Sequence, residues 1–289
     1  MTACATPSAA PPLAEKVQPG DKVCLVVADI TRTWNHSNQF LVYVIDELNL
    51  AGIPDDDIYI VFSQGSHRAQ TPEEDVAVCG QEVIDRIKTY QHDCMDPTLV
   101  DCGTTKLGTP LKLNKHVVDA DKVIIIDGIT THLFAGFGGG RKLILPGVSG
   151  FETIQRNHCH ALADEFGHGV NPKTRALMIE DNPLNDDMIE ACRKINPCFL
   201  VHSIINADGE ICRMVGGDWY EAWHAGTQAV LDIQRVPMKQ KTDVVFACAG
   251  GYPSDVSLYQ GSKCYDPAEM AVKKGHASSP SWKPATSKN

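Results

Sequence analysis

KVIIIDGITTHLFAGFGGGRKLILPGVSGFETIQRNHCH, residues 122–160, is the stretch on which the fold turns. Residues 122–129 are a short apolar, β-branched run closed by a glycine, the pattern of a buried strand. His132 lies just past it, and the glycines of GFGGG (136–140) let backbone approach a neighbour closely. Arg141 and Lys142 follow, then a proline-ended apolar run, and from 150 to 163 the spacing is helical. A strand, a polar glycine-rich connection and a helix form the unit from which parallel sheets are built. With Arg141 and Lys142, the Gly138-Gly139-Gly140 turn suits an anionic, phosphorylated small molecule. Taken alone, it reads equally well as a tight surface turn.

The same unit recurs outward from there. Residues 22–29 (KVCLVVAD) and 57–64 (DIYIVFSQ) read as buried strands, and 199–206, 210–215 and 243–249 as further strands. Between the first two, Phe40, Leu41, Val44, Ile45 and Leu48 fall at helical spacing within 37–51. Thr71-Pro72-Glu73-Glu74 is a helix start with an N-cap, a first-position proline and a capping glutamate. Residues 183–195 and 219–233 are helical, and another helix begins near Leu258. The expected fold is therefore α/β: a mainly parallel sheet covered by helices on both faces, with part of a second α/β domain. Residues 1–20, rich in Pro and Ala, read as a disordered lead-in, 21–265 as the folded body with the start of the second domain, and 266–289 as a truncated or disordered tail. The polar signals sit where such sheets bind ligands, at the carboxyl ends of strands. They are Asp29–Arg32, Gly65–Arg68, Thr131-His132 and Gly251–Asp255.

Composition narrows the function. A formal net charge of -10 in 289 residues argues against nucleic acid or an anionic membrane as partner. No apolar run approaches the roughly 20 residues of a membrane helix, and the N-terminus has neither the basic nor the apolar region of a secretion signal. Eleven cysteines, an odd number with no CxxC pair, indicate reduced thiols and a cytoplasmic setting. Cys24, Cys192, Cys198, Cys212 and Cys248 lie in apolar or helical patterns and are expected to be buried.

Several side chains could carry chemistry. His67 and His132 each follow a strand and could act as acid and base on opposite sides of a substrate. Arg32 and Arg68 could fork onto a carboxylate, with Asp29 orienting Arg32 or a histidine, or could form ordinary loop ion pairs. Tyr259, Gln260 and Lys263 fall at i, i+1 and i+4 of one helix. His158, beside Cys159 and His160, is either a metal ligand or part of a helix-surface pair. A nicotinamide-dinucleotide dehydrogenase is disfavoured, since no G-x-G-x-x-G follows the first strand.

ADITR (28–32), GSHR (65–68), HLFAGFGGGRKLILPG (132–147), RNHCH (156–160) and GGYPSDVSLYQGSK (250–263) occur in this order. Over residues 21–274 the chain thereby resembles the nickel-pincer-nucleotide lactate racemases and related 2-hydroxyacid racemases and epimerases. The resemblance implies an isomerase whose cofactor is a pyridinium mononucleotide holding nickel through two sulfurs and a ring carbon. It makes Lys142 the residue that tethers that cofactor and His158 the protein ligand to nickel. His67 and His132 become the acid–base pair. Asp29, Gly138, Gly139, Gly140 and Arg141 fall on the cofactor side, and Arg32, Tyr259, Gln260 and Lys263 on the substrate side. The implied reaction takes hydride from carbon 2 of the hydroxy acid, and the hydroxyl proton to a histidine, through a planar 2-keto acid. Its partners would be the small 2-hydroxy acid and, transiently, the cofactor-synthesis proteins. Two departures stand out. Thr33-Trp34-Asn35-His36 replaces a proline-rich continuation, putting Trp34 near the substrate. Family members also continue past the point where this chain becomes HASSPSWKPATSKN (276–289), which raises a second reading as a truncated, non-catalytic cofactor-binding module.

Overall fold

Strand β1 (Val23–Ala28) is the axis around which the first unit is built. Its side chains alternate between two cores, as a strand's must. Val23, Leu25 and Val27 pack on one face with Leu41, Val44, Ile45 and Leu48 of helix α1 (Leu41–Leu50). Cys24 and Val26 pack on the other. The chain then runs through β2 (Ile58–Ser63), α2 (Pro72–Cys79), α3 (Gln81–Arg86), β3 (Lys88–Tyr90) and a hairpin of β4 (Val100–Thr104) and β5 (Pro110–Leu113). It continues through α4 (Lys115–Val118), β6 (Lys122–Gly128), the short hairpin β7 (Thr131–His132) and β8 (Gly136–Phe137), α5 (Phe151–Cys159) and α6 (Pro183–Ile195). The unit closes with β9 (Phe199–Ile205), β10 (Ile211–Gly217) and α7 (Trp219–Gln234). The six-stranded sheet has the order β10-β9-β6-β1-β2-β3, parallel except for β10. Helix α1 covers one face, and α6 and α7 cover the other through Ile189, Cys192, Ala222, Trp223 and Val230. The expected α/β architecture, with a mainly parallel sheet covered on both faces, is what forms.

The chain steps from β1 out to β2 and β3, then returns to β6 on the opposite side of β1. Loops leaving β1 and β6 therefore diverge, and the gap between their carboxyl ends is the topological switch point where α/β sheets bind ligands.

This computed structural model describes residues 8–165, 167–249, 258–274 and 278–281, excepting the side chains of Tyr259, Gln260 and 278–281. Contacts divide the chain into two compact units, 1–234 and 235–289. In the second, β11 (Val245–Cys248) pairs in parallel with β12 (Ser278–Ser281). Helices α8 (Leu258–Gly261) and α9 (Tyr265–Ala271) complete it, with Thr242 N donating to Ala271 O at 3.0 Å.

Three expectations need correction. The lead-in is not disordered over residues 8–20: Leu13 and Val17 are core residues, and Ser8 N donates to Gly216 O at 2.8 Å. The segment from 266 is not featureless, because Ala268 is buried in α9 and 278–281 joins a strand pair. Among the cysteines expected inside, Cys24 and Cys192 are buried, whereas Cys212 and Cys248 are exposed; every described cysteine is a free thiol. Among the described residues no helix is long and apolar enough to cross a membrane.

Candidate functional site

β1 ends at Ala28, and Asp29 caps the 3-10 turn Ile30–Asn35. Its carboxylate is 3% exposed. Oδ1 accepts from Thr31 N at 3.2 Å and Thr31 Oγ1 at 2.5 Å. Oδ2 lies 2.5 Å from Nδ1 of His67, whose side chain is 47% exposed at the end of the β2 loop. A carboxylate only accepts, so Nδ1 of His67 carries a proton, and in the neutral ring the lone pair is on Nε2. That is the arrangement of a histidine base held by an aspartate.

His132 is set up the other way. It stands on β7, directly after β6, and its Nδ1 accepts from the backbone N–H of Phe134 at 3.2 Å and of Ala135 at 3.1 Å. In the neutral ring the proton is then on Nε2. The two histidines so carry opposite tautomers. They follow the strands that flank β1, whose axes are two strand spacings, about 10 Å, apart.

Arg32 lies beside the Asp29 cap, its Nη1 donating to Thr31 Oγ1 at 3.0 Å. Arg68 does not join it as a carboxylate fork. Both of its terminal nitrogens are taken by Glu74, at 2.6 and 2.7 Å, where the N-terminus of α2 closes its capping box with Thr71. Trp34 rests against the end of β6: a Cβ on Gly128 would come within 2.8 Å of its ring, so its bulk is spent on packing.

The glycine-rich turn is filled from inside the protein. Gly139 and Gly140 have φ of +69° and +57°. A Cβ on Gly139 would meet His202 Cδ2 at 2.9 Å, and one on Gly140 would meet Trp223 Cδ1 at 2.7 Å. Gly140 N donates to His202 Nε2 at 2.7 Å, while His202 Nδ1 donates to Val201 O at 2.7 Å. Burial pulls the pKa of His202 down to about 4, so the ring stays a neutral acceptor.

Arg141 is 0% exposed. Its Nε donates to Asn185 Oδ1 at 2.7 Å, Nη1 to Gly139 O at 3.1 Å and Nη2 to Ala135 O at 2.7 Å. The guanidinium stacks 4.0 Å from the Trp223 ring. Burial pushes its pKa down to about 9, and it remains a cation near neutrality. Gly139, Gly140 and Arg141 are thus each held by their own scaffold. Gly138 alone has ordinary space around it, the nearest atom to its Cβ position being Thr130 O at 3.6 Å. What the clamped turn delivers is the next residue, Lys142, half-buried at the start of the chain's return to the sheet.

His158 lies on α5 and is half-buried. Its Nδ1 is 2.9 Å from Ile154 O, one turn back. A carbonyl only accepts, so Nδ1 is the protonated nitrogen and Nε2 is the one left to bind a metal, as in histidine ligands oriented by a carbonyl. Burial lowers its pKa, and the charge of Lys142 lowers it further against the pull of the Ile154 carbonyl. The neutral ring is the ligating form. Helix α5 is fixed by Thr153, which donates to Pro110 O at 2.6 Å, and by Asn157, which donates to Asp187 at 2.8 Å. His160 turns instead toward Thr109 and Asp187, at 3.3 and 3.8 Å, as part of the packing. Among the described residues no three His, Cys, Asp or Glu side chains could together hold a metal ion. Lys142 lies close enough for its charge to act on the His158 ring.

Asp29, Arg32, His67, His132, Lys142 and His158 all belong to the first unit: Asp29, Arg32 and His67 follow β1 and β2, His132 stands on β7 after β6, Lys142 lies in the turn after β8, and His158 is on α5. Lys263 belongs to the second, and the side chains of Tyr259 and Gln260, with residues 250–257, lie outside the described residues. Asp127 went unmarked in the sequence. It ends β6 at 5% exposure, accepts from Asn35 Nδ2 at 3.0 Å, and burial raises its pKa to about 6. The only cue was an acid closing an apolar strand.

Comparison with known proteins gives a consistent answer. Residues 1–168 match the lactate racemase N-terminal domain. The chain is 34% identical over 219 residues to the lactate racemase of Thermoanaerobacterium thermosaccharolyticum, covering 75% of this chain and 50% of that one. It is 32% identical over 224 residues to that of Lactiplantibacillus plantarum, covering 77% and 51%. The chain spans about half the length of these curated relatives. The lactate racemase apoprotein structure from T. thermosaccharolyticum superposes with a TM-score of 0.88 at 30% identity, over 98% of this chain and 66% of that one. A structure from Thermotoga maritima shares the fold, with a TM-score of 0.68 at 20% identity, over 86% and 64%. With the domain match spanning more than half of its residues, the chain belongs to the lactate racemase family.

Proposed function

We propose that the chain racemises or epimerises a small 2-hydroxy acid, lactate or a relative, with nickel-pincer nucleotide held by Lys142 and His158. The observation that carries this reading is the opposed tautomers of His67 and His132 at strand ends on either side of β1. Inversion at one carbon needs a proton acceptor for one face and a proton donor for the other. His67 Nε2 takes the hydroxyl proton, and the buried Asp29 carboxylate stabilises the imidazolium so formed. On the other face His132 presents Nε2–H to the substrate oxygen as a hydrogen-bond donor, and the proton that His67 took returns to that oxygen through solvent. Arg32 holds the substrate carboxylate against the Asp29–Thr31 cap. When bound, the nucleotide supplies a reversible hydride acceptor for carbon 2. The residues that would hold it are Lys142, by a covalent tether, and His158, through Nε2. Tyr259, Gln260 and Lys263 belong to the same reading as substrate contacts.

The test is expression of the chain together with cofactor-synthesis proteins, followed by nickel analysis and chiral chromatography of a panel of 2-hydroxy acids. Nickel near one per chain and interconversion of enantiomers are expected. His158→Ala should lose the metal, and full retention would overturn the assignment. His67→Ala and His132→Ala should keep the metal and lose turnover. Nickel retained by the unaltered chain without turnover on any hydroxy acid would reduce the proposal to cofactor holding alone.

A further inference from the structure

Behind the Asp29–His67 pair, one carboxylate sets the direction of a chain of amide hydrogen bonds. Asp75 on α2 accepts from Gln70 Nε2 at 2.7 Å and from Gln91 Nε2 at 3.0 and 3.1 Å. Being acceptor-only, it compels both glutamines to turn their amide nitrogens toward it and their oxygens away. Gln70 Oε1 then accepts from Ile30 N, the residue next to Asp29. Gln91 Oε1 accepts from Gln70 N at 3.0 Å and Gln64 Nε2 at 2.6 Å. That in turn points Gln64 Oε1 at His92 N, at 2.6 Å, while Gln64 O receives His67 N at 2.9 Å. Gln64 and Gln70 are both buried, so each reversed amide would strand a donor against a donor. The loop bearing Asp29 and the loop bearing His67 are joined through this relay.

We propose that Asp75 is a positioning residue: it acts through Gln91, Gln70 and Gln64 to hold the β2 loop against the β1 loop, so that His67 Nδ1 meets Asp29. The proposal rests on the acid–base reading of His67 only for its functional consequence. An amide at position 75 would place a second N–H2 group where Gln91 Nε2 already donates. Asp75→Asn should therefore reverse Gln91 and release the two donors its Oε1 holds, Gln70 N and Gln64 Nε2. Hydrogen exchange in the substrate-free protein, measured by NMR, should show about 10-fold or greater loss of protection at Ile30, Gln70 and His92, with the amides of β1 and β2 unchanged. The same sample should show the ¹⁵N signature of His67 moving from the Nδ1–H toward the Nε2–H tautomer, a change that general loosening of the fold would not produce selectively. Gln91→Met keeps the shape and removes both polar ends; it should give the same two signatures should Asp75→Asn fail to fold. Unaltered protection at the three amides, or an unaltered His67 tautomer, would overturn the proposal. Neither readout involves turnover, so failure here is distinct from failure of the racemase reading.

Discussion

Replacing Asp127 by Asn should stabilise the protein at neutral pH. Asp127 is sealed at the end of β6, and burial raises its pKa from 3.8 to about 6, against the opposing pull of Arg32 and of its hydrogen-bond donors. An acid whose pKa rises on folding binds its proton more tightly in the folded state. The folded protein therefore loses stability as pH rises from about 4 to about 6, and the whole penalty is present above that window. The shift amounts to about 3 kcal/mol at 1.36 kcal/mol per pKa unit. Asparagine keeps an oxygen for Asn35 Nδ2, which now lies at 3.0 Å, and removes the buried charge. Urea unfolding by circular dichroism at pH 8, 6 and 4 should show Asp127→Asn more stable by about 1–3 kcal/mol at pH 8, the gap closing by pH 4. His202 acts in the opposite sense. Its pKa is lowered from 6.5 to about 4, so its contribution is complete above pH 6.5 and is lost as pH falls through 4. The two trends offset one another in the unaltered chain, and removing Asp127 should expose a steep acid slope. Equal stability at pH 8, with parallel pH curves, would refute the reasoning.

Other outcomes follow from the clamped turn and its surroundings. Arg141→Met would leave Asn185 Oδ1 and the Ala135 and Gly139 carbonyls without their buried donor and should cost about 3–5 kcal/mol in urea unfolding. Gly140→Ala, forced to φ +57° with its Cβ 2.7 Å from Trp223, should destabilise the fold clearly more than Gly138→Ala, where the nearest atom is at 3.6 Å; thermal melts of the pair decide it. Arg68→Gln should leave substrate affinity unchanged in steady-state assays, since that guanidinium is committed to Glu74.

Much of the sheet was legible because buried parallel strands read as unbroken apolar runs. β1, β2, β6 and β9 fall within a residue or two of the stretches chosen from sequence, as do α6 and α7. The capping box at Thr71 was equally plain, being a local device with local spacing. Residues 37–51 came out shorter, since His36 adopts a left-handed conformation and 37–39 form a separate turn before α1. β3 and the β4–β5 hairpin were missed, being short, partly exposed and without clear alternation. Asp29, His67 and His132 could be placed beside strand ends because strand ends are read from the strands themselves. The burial of Arg141 was not legible, because a basic pair after glycines looks solvated until Asn185 and Trp223 arrive from α6 and α7 to enclose it. His202 sat silent within FLVHSII, and the Asp75 relay joins residues that share no motif spacing.

Two adjacent basic residues thus have opposite employments. Arg141 is a bolt driven into the scaffold, and Lys142 is the fitting that the bolt holds in place. The shape of the turn is therefore set at position 141, one residue before the lysine it presents. Exchange there would leave Asn185 Oδ1 and two carbonyls without a donor. Redesign aimed at Lys142 has to leave its neighbour as it is.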